Sequence, residues 1–235
     1  MTTPALKLHL VLLPGMDGTG GMFDGFITAL SGACVVHVVR YPAQAALGYH
    51  DLARIARSFI PSDQPWVILG ESFSGPVAIS LAAEAANQPH CRGLILCASF
   101  ARNPRPQLGW LRPLVGMTPV SILPPDALSP ILFGRWSTPA LRAQLRHALA
   151  QVAPQALQSR LRAVMEVDVS NRLCQITVPI LYLQASHDRL VPASSGDLIK
   201  RLRPKTEMVK LEGPHLLLQV APQECARVIL DSLKD

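Results

Sequence analysis

Aromatic residues make up only 5% of this 235-residue sequence and charged residues only 16%, and both scarcities exclude classes of function. A nucleic-acid surface combines Lys-rich runs with stacking aromatics, and neither these nor a recognisable binding motif is present. Long apolar runs are also missing: no stretch approaches the roughly 18 unbroken apolar residues that a membrane-spanning helix needs. The five cysteines (Cys34, Cys91, Cys97, Cys174 and Cys225) form no CxxC pair and no close cluster with histidine. That excludes a disulfide framework and a metal site, and a reducing cytoplasm is the expected setting. The N-terminal apolar run Leu8 to Leu13 is too short for a signal-peptide core and has no small-residue cleavage site after it, so it reads as a buried strand. What is abundant is apolar residue, 49%, which excludes disorder and suffices for one well-buried domain or a domain with a modest insertion.

Charge is unevenly placed. The net charge is +6, yet residues 100–165 hold eight arginines, no lysine and a single acid, Asp126, so the rest of the chain is close to neutral. Short β-rich runs alternate with helical segments, the pattern of βαβ units around a mostly parallel sheet. Strands are expected at Leu6–Leu13, Ala33–Arg40, Trp66–Gly70, Gly93–Ala98, Ile180–Gln184 and Glu207–Leu211, with helices around Phe23–Leu30, Leu52–Phe59, Pro76–Ala86, Ala193–Leu202 and Pro222–Leu233. The alternation breaks once, from about Arg102 to Asp168, where nine of the 21 prolines fall and no clear strand is found. This divides the chain into a core of residues 1–101 and 169–235 and a helical insertion of 102–168. The most regular insertion helix starts with Thr138 as N-cap and Pro139 at the first helical position, with Leu141, Leu145, Leu149 and Val152 on one face.

The strongest chemical signal is Trp66-Val67-Ile68-Leu69-Gly70-Glu71-Ser72-Phe73-Ser74-Gly75-Pro76, a hydrophobic strand that runs through Gly-x-Ser-x-Ser-Gly into a helix. A serine on such a strained strand-to-helix corner needs small residues two before and two after it, and Gly70 and Ser74 fill those places. A polar loop of no chemical purpose would carry similar residues, but not in this strand-turn-helix context. The glycine-rich loop Pro14-Gly15-Met16-Asp17-Gly18-Thr19-Gly20-Gly21 matches neither Gly-x-Gly-x-x-Gly nor a P-loop. Its remaining physical use is to bring backbone N–H groups to a developing oxyanion, which assigns that role to Met16 and Phe73. Asp188, in Ser186-His187-Asp188-Arg189-Leu190-Val191-Pro192, and His215, in Gly213-Pro214-His215, each follow a predicted strand, where a parallel sheet collects its site residues. A nucleophilic serine needs a base and a carboxylate that orients the base, so Ser72, Asp188 and His215 complete a candidate triad in the order Ser, Asp, His. His187 is the weaker base, and Asp168, at the insertion boundary, is the alternative acid.

These motifs together resemble the α/β-hydrolase family over nearly the whole chain outside the insertion, and the C-terminal third resembles carboxylesterases, including the carrier-protein methyl ester esterases of biotin synthesis. The resemblance implies an α/β-hydrolase fold with hydrolysis through an acyl-enzyme, no cofactor, and an insertion that serves as a lid. Two features depart from the family pattern: Pro14-Gly15 stands where many members have His-Gly, and the short stretch ahead of the first strand leads us to expect a sheet without the two usual N-terminal antiparallel strands. The expected sheet therefore has about six mostly parallel strands.

The expected activity is that of a serine carboxylesterase acting on short- to medium-chain acyl esters. The alternatives are an esterase or thioesterase for substrates bound to an acidic acyl carrier protein, acyl transfer to an alcohol, and a non-catalytic ligand-binding protein on the same scaffold. An epoxide hydrolase or dehalogenase would place aspartate at position 72. Within the insertion, Trp110, Phe133 and Trp136 belong to a set of apolar residues that either wall an acyl pocket or glue the insertion to the sheet. Arg142 and Arg146 stand one turn apart beside the apolar stripe, with Arg135, Arg160 and Arg162 expected nearby, and offer a cationic face to an anionic head group or carrier protein unless they are simply solvated. No metal and no stable membrane insertion are expected.

Overall fold

Alternate residues of the central strands point to opposite sides of the sheet, and both sides are apolar, which dictates helices on both faces. Along β1 (His9–Leu13) and β3 (Trp66–Glu71), Val11, Leu13, Trp66 and Ile68 enter one core while Leu10, Leu12, Val67 and Leu69 enter the other. The computed structural model describes residues 7–86, 88–111 and 125–234, with the side chains of 109–126 outside the description. Its sheet is parallel throughout, in the order β2-β1-β3-β4-β5-β6, where β2 is Val35–Val38, β4 Cys91–Cys97, β5 Ile180–Ala185 and β6 Glu207–Leu211.

The first core packs beneath α2 (Tyr49–Arg57), α3 (Gly75–Glu84), α7 (Ser170–Gln175) and α8 (Ala193–Leu202), through Leu52, Val77, Leu173 and Ile199. The second packs beneath α1 (Asp24–Ala29), the short α9 (Leu217–Val220) and α10 (Pro222–Ser232), through Phe26, Leu218 and Ile229. The chain steps from β1 to one side for β2 and then to the other for β3. The loops leaving β1 and β3 therefore diverge at the switch point where open parallel sheets form their binding crevice.

The six parallel strands agree with the sequence reading, and their ends differ by a few residues. The edge strand β2 is shorter than its apolar run because it has only one neighbour to pair with, whereas β3 and β4 run slightly longer than expected. The first expected strand begins at His9, and its Leu6 lies outside the described residues. Between β4 and β5 the chain forms α4 (Pro125–Leu132), α5 (Pro139–Ala150) and α6 (Pro154–Glu166). Thr138 caps α5 by accepting the Leu141 N–H at 3.2 Å. Residues Arg102 and Asp168 close an isolated antiparallel bridge at the base of this segment. Phe133, Leu145 and Ala148 have no separate core: they pack with Met22 and Leu216 from the loops of the core domain.

Candidate active site

Ser72 follows the last residue of β3 and adopts φ +48°, a left-handed conformation that costs a non-glycine residue energy and that a tight corner must enforce. The corner leaves no room for larger neighbours. A Cβ on Gly70 would lie 2.8 Å from both Ala78 Cβ and the Ser74 carbonyl, and one on Gly75 would lie 1.8 Å from Ser99 Oγ. Ser74, where a second glycine is common, uses its hydroxyl: it donates to the Pro14 carbonyl and lies 2.9 Å from the Tyr41 hydroxyl, so the serine corner is knitted to the glycine-rich loop. The Ser99 hydroxyl donates to the Ser72 carbonyl at 2.5 Å.

The three chemically distinctive groups meet. Ser72 Oγ lies 2.7 Å from His215 Nε2, and His215 Nδ1 lies 2.8 Å from Asp188 Oδ2. The imidazole and carboxylate are 3% and 6% exposed. Asp188 Oδ1 accepts the Leu190 and Val191 N–H groups at 2.8 and 2.9 Å, which fixes the carboxylate before it meets the ring. Asp168 lies elsewhere, at the bridge to Arg102, where hydrogen bonds from Ser170 hold its carboxyl below its usual range. His187 points away, with Nδ1 2.7 Å from Ser186 Oγ and its ring against Trp136. Phe73 is the middle residue of the turn Ser72–Ser74 that leads into α3, where N–H groups lack intrahelical partners, and Met16 follows Gly15 in the loop after β1. This arrangement can move a proton from a hydroxyl to an imidazole and hold the resulting cation beside a carboxylate.

Of two buried ionisable groups next to this chain, Glu71 was not singled out from sequence and Arg160 was expected on a cationic face. Glu71, 2% exposed, accepts from Gln219 Nε2 at 2.9 Å and from the Gly15 N–H. Burial pushes its carboxyl up to about 7, against the opposing pull of the Gln219 hydrogen bond. A glutamate ending an otherwise apolar strand was the available signal. Arg160 corrects an expectation, since it lies on no exposed cationic face. It is 1% exposed, and its guanidinium donates to the carbonyls of Met16 (2.9 Å), Asp17 (2.8 Å) and Pro42 (3.1 Å). Gly18, at φ +70°, leaves the space it needs, because a Cβ there would sit 2.6 Å from Arg160 Nη1.

Other insertion arginines also hold site loops. Arg105 donates to the Arg189 and Leu190 carbonyls at 2.7 and 3.1 Å, and Arg135 pairs with Glu212, three residues before His215. Arg142 donates to Ser137 Oγ at 3.0 Å, while Arg146 is exposed one turn on. Phe133 is fully buried and acts as packing. Trp136 is half-buried between the Arg135 guanidinium and the His187 ring, and the Trp110 side chain lies outside the described residues. Among the described residues no cluster of three or more His, Cys, Asp or Glu could hold a metal ion, and no helix is long and apolar enough to cross a membrane.

Comparison with known proteins gives consistent neighbours. The profile of the alpha/beta hydrolase family matches residues 10–228. Curated relatives include pimeloyl-[acyl-carrier protein] methyl ester esterases from Xanthomonas oryzae pv. oryzae, 26% identical with 87% of this chain and 86% of the relative covered, and from Aeromonas hydrophila subsp. hydrophila, 29% identical with 94% and 93% covered. Similar solved structures include an enol-lactonase from Burkholderia xenovorans (TM-score 0.81, 18% identity, 97% of this chain and 92% of that chain). A thermophilic esterase from Thermogutta terrifontis is also similar (TM-score 0.80, 20% identity, 98% and 90%).

Proposed function

The chain belongs to the alpha/beta hydrolase family, and from that premise we propose that it is a serine carboxylesterase that cleaves short- to medium-chain acyl esters through an acyl-enzyme. The observation that carries this reading is the unbroken hydrogen-bonded chain from Ser72 through His215 to Asp188. His215 takes the Ser72 proton as the hydroxyl attacks the ester carbonyl, and Asp188 stabilises the imidazolium. The Met16 and Phe73 N–H groups bind the tetrahedral oxyanion. His215 then protonates the leaving alcohol, and water repeats the cycle to release the acid. No step needs a cofactor. On this reading the segment 102–168 is a lid, its two ends joined at Arg102 and Asp168.

The test is hydrolysis of p-nitrophenyl esters from acetate to palmitate by the wild type and by Ser72→Ala. The substitution is expected to lower kcat by about four orders of magnitude or more. Turnover that survives it would overturn the nucleophile assignment. A second reading, hydrolysis of esters on a carrier-protein-bound acyl chain, is favoured by the curated relatives, which are pimeloyl-[acyl-carrier protein] methyl ester esterases. Reversing the charge at Arg142 and Arg146 would then weaken turnover of the carrier-bound ester but not of a small ester, whereas equal effects on both substrates would exclude it.

A further inference from the structure

A cavity of about 350 Å³ lies on the seam between the insertion and the Asp188 loop, lined by Ser129, Pro130, Gly134, Ser137, Arg142 and Arg189. None of the residues in the Ser72–His215–Asp188 chain lines it. Its walls are rich in donors and poor in acceptors. The Ser129 carbonyl accepts from the Phe133 N–H, the Pro130 carbonyl from Arg189 Nη1 at 3.0 Å, and the Gly134 carbonyl from the Ser137 N–H. The Ser129 and Ser137 hydroxyls lie 2.9 Å apart, so one bond between them uses one O–H and leaves the other as a donor, while Ser137 Oγ also accepts from Arg142. Each guanidinium has five N–H donors and gives one to these partners. Among the described residues neither Arg142 nor Arg189 forms a salt bridge with a carboxylate; Glu212 is held by Arg135, and Asp188 by His215.

Such a pocket is complementary to an oxyanion, because only an acceptor group that carries negative charge satisfies the donors and compensates two cations together. The volume, at the lower end of the roughly 300–1,000 Å³ range of small-molecule pockets, is more than a bare ion fills. A second observation indicates what accompanies the charge. The three large apolar side chains exposed among the described residues are Leu108, Ile131 and Leu190. Ile131 and Leu190 directly follow the lining residues Pro130 and Arg189, and Leu108 is three residues from Arg105, which holds the Arg189 and Leu190 carbonyls. We propose that this seam is a binding site for a small amphiphilic anion: a carboxylate or phosphate head held by Arg142 and Arg189, with a short apolar chain lying on Ile131 and Leu190. The site stands whether or not Ser72 is a nucleophile, since binding there is read without turnover.

Calorimetric titration of the full chain with hexanoate, hexyl phosphate, inorganic phosphate and hexanol, at constant ionic strength, tests it. Saturable binding is expected for at least one hexyl anion, tighter than for inorganic phosphate and absent for hexanol. Response to hexanoate alone assigns a carboxylate site, to hexyl phosphate alone a phosphate site, and to both a general oxyanion site. Arg142→Gln and Arg189→Gln should each weaken binding by about tenfold or more, and the surface control Arg92→Gln should leave it unchanged. The site is excluded if hexanol binds as well as the anions, if neither hexyl anion saturates at millimolar concentration, or if affinity survives both arginine substitutions. Because hexanoate is also an acid that the proposed esterase would release, the wild-type titration is repeated after Ser72 has been blocked by a phosphonylating reagent: binding that survives the block belongs to the seam even where an arginine variant fails to fold, and binding lost with the block overturns the proposal.

Discussion

At the position before Ser72, a carboxyl group that burial pushes up to about 7 makes stability depend on pH. The folded protein binds the Glu71 proton more tightly than the unfolded chain, so the group favours folding fully below its ordinary value near 4.5. That contribution is lost as pH rises through about 7. Glu71→Gln removes it. Relative to the wild type, the variant is expected to gain on the order of 2–3 kcal/mol between about pH 4.5 and pH 8. Urea melts at the two pH values check this, and parallel shifts of both proteins would refute it. Asp188→Asn and Asp168→Asn form a second residue-scale test. The first is expected to cost about 10⁴-fold in kcat because the imidazole loses the partner that sets its tautomer, and the second is expected to leave kcat nearly unchanged. The serine, histidine and aspartate were legible in sequence because each sits at a fixed place after a strand. Glu71 and Arg160 were not, because what distinguishes them is burial: Glu71 occupies the variable place of the serine motif, and Arg160 sits among insertion arginines that look alike until packing separates them.

Among the elements, the insertion helices do more than cover the sheet. Three of the insertion's eight arginines are used on the loops after β1, β5 and β6, and Arg160 on α6 holds two consecutive carbonyls of the loop that contains Met16. Replacing Arg160 with methionine leaves those carbonyls without donors and lets the loop drift. The expected result is a kcat lower by about tenfold or more, with a smaller change in KM and a stability loss of roughly 1–3 kcal/mol. Arg162→Met, two residues away at an exposed position, should change neither. Steady-state kinetics with thermal melts of both variants separate this positioning role from a general charge effect. The local excess of arginine was visible in sequence, and the use of three of its members was not, since hydrogen bonds from side chains to distant backbone leave no periodic trace.

The molecule as a whole joins a sheet with two large cores to an insertion that buries little of its own. Phe133, Leu145 and Ala148 are buried in one small cluster that depends on Met22 and Leu216 of the core, and α4 carries Pro130 in its interior, which removes a helical hydrogen bond. Unfolding should therefore begin there. In a urea titration, esterase activity, and Trp136 fluorescence read in a Trp66→Phe, Trp110→Phe background, are expected to fall at lower urea than the far-UV circular dichroism of the sheet and its helices; coincident curves would instead mean one cooperative unit. The parallel sheet was legible because strands buried on both faces read as short continuous apolar runs. The arrangement of α4 to α6 was not, because proline-rich helices packed on loops have neither a strand's alternation nor a broad apolar stripe.

A parallel sheet also sends all its outgoing loops to one rim, so Ser72, Asp188 and His215 share one end of the molecule. Four of the five lysines are distributed the other way, and Lys210, next to last on β6, is the exception. Lys7 precedes β1, Lys205 precedes β6, Lys200 and Lys234 lie toward or beyond the far ends of α8 and α10, Lys210 lies on β6, and the insertion has none. Amine-directed attachment to a solid support would therefore grip the molecule mainly by its blunt end and leave the rim that carries Ser72, Asp188 and His215 facing the solution.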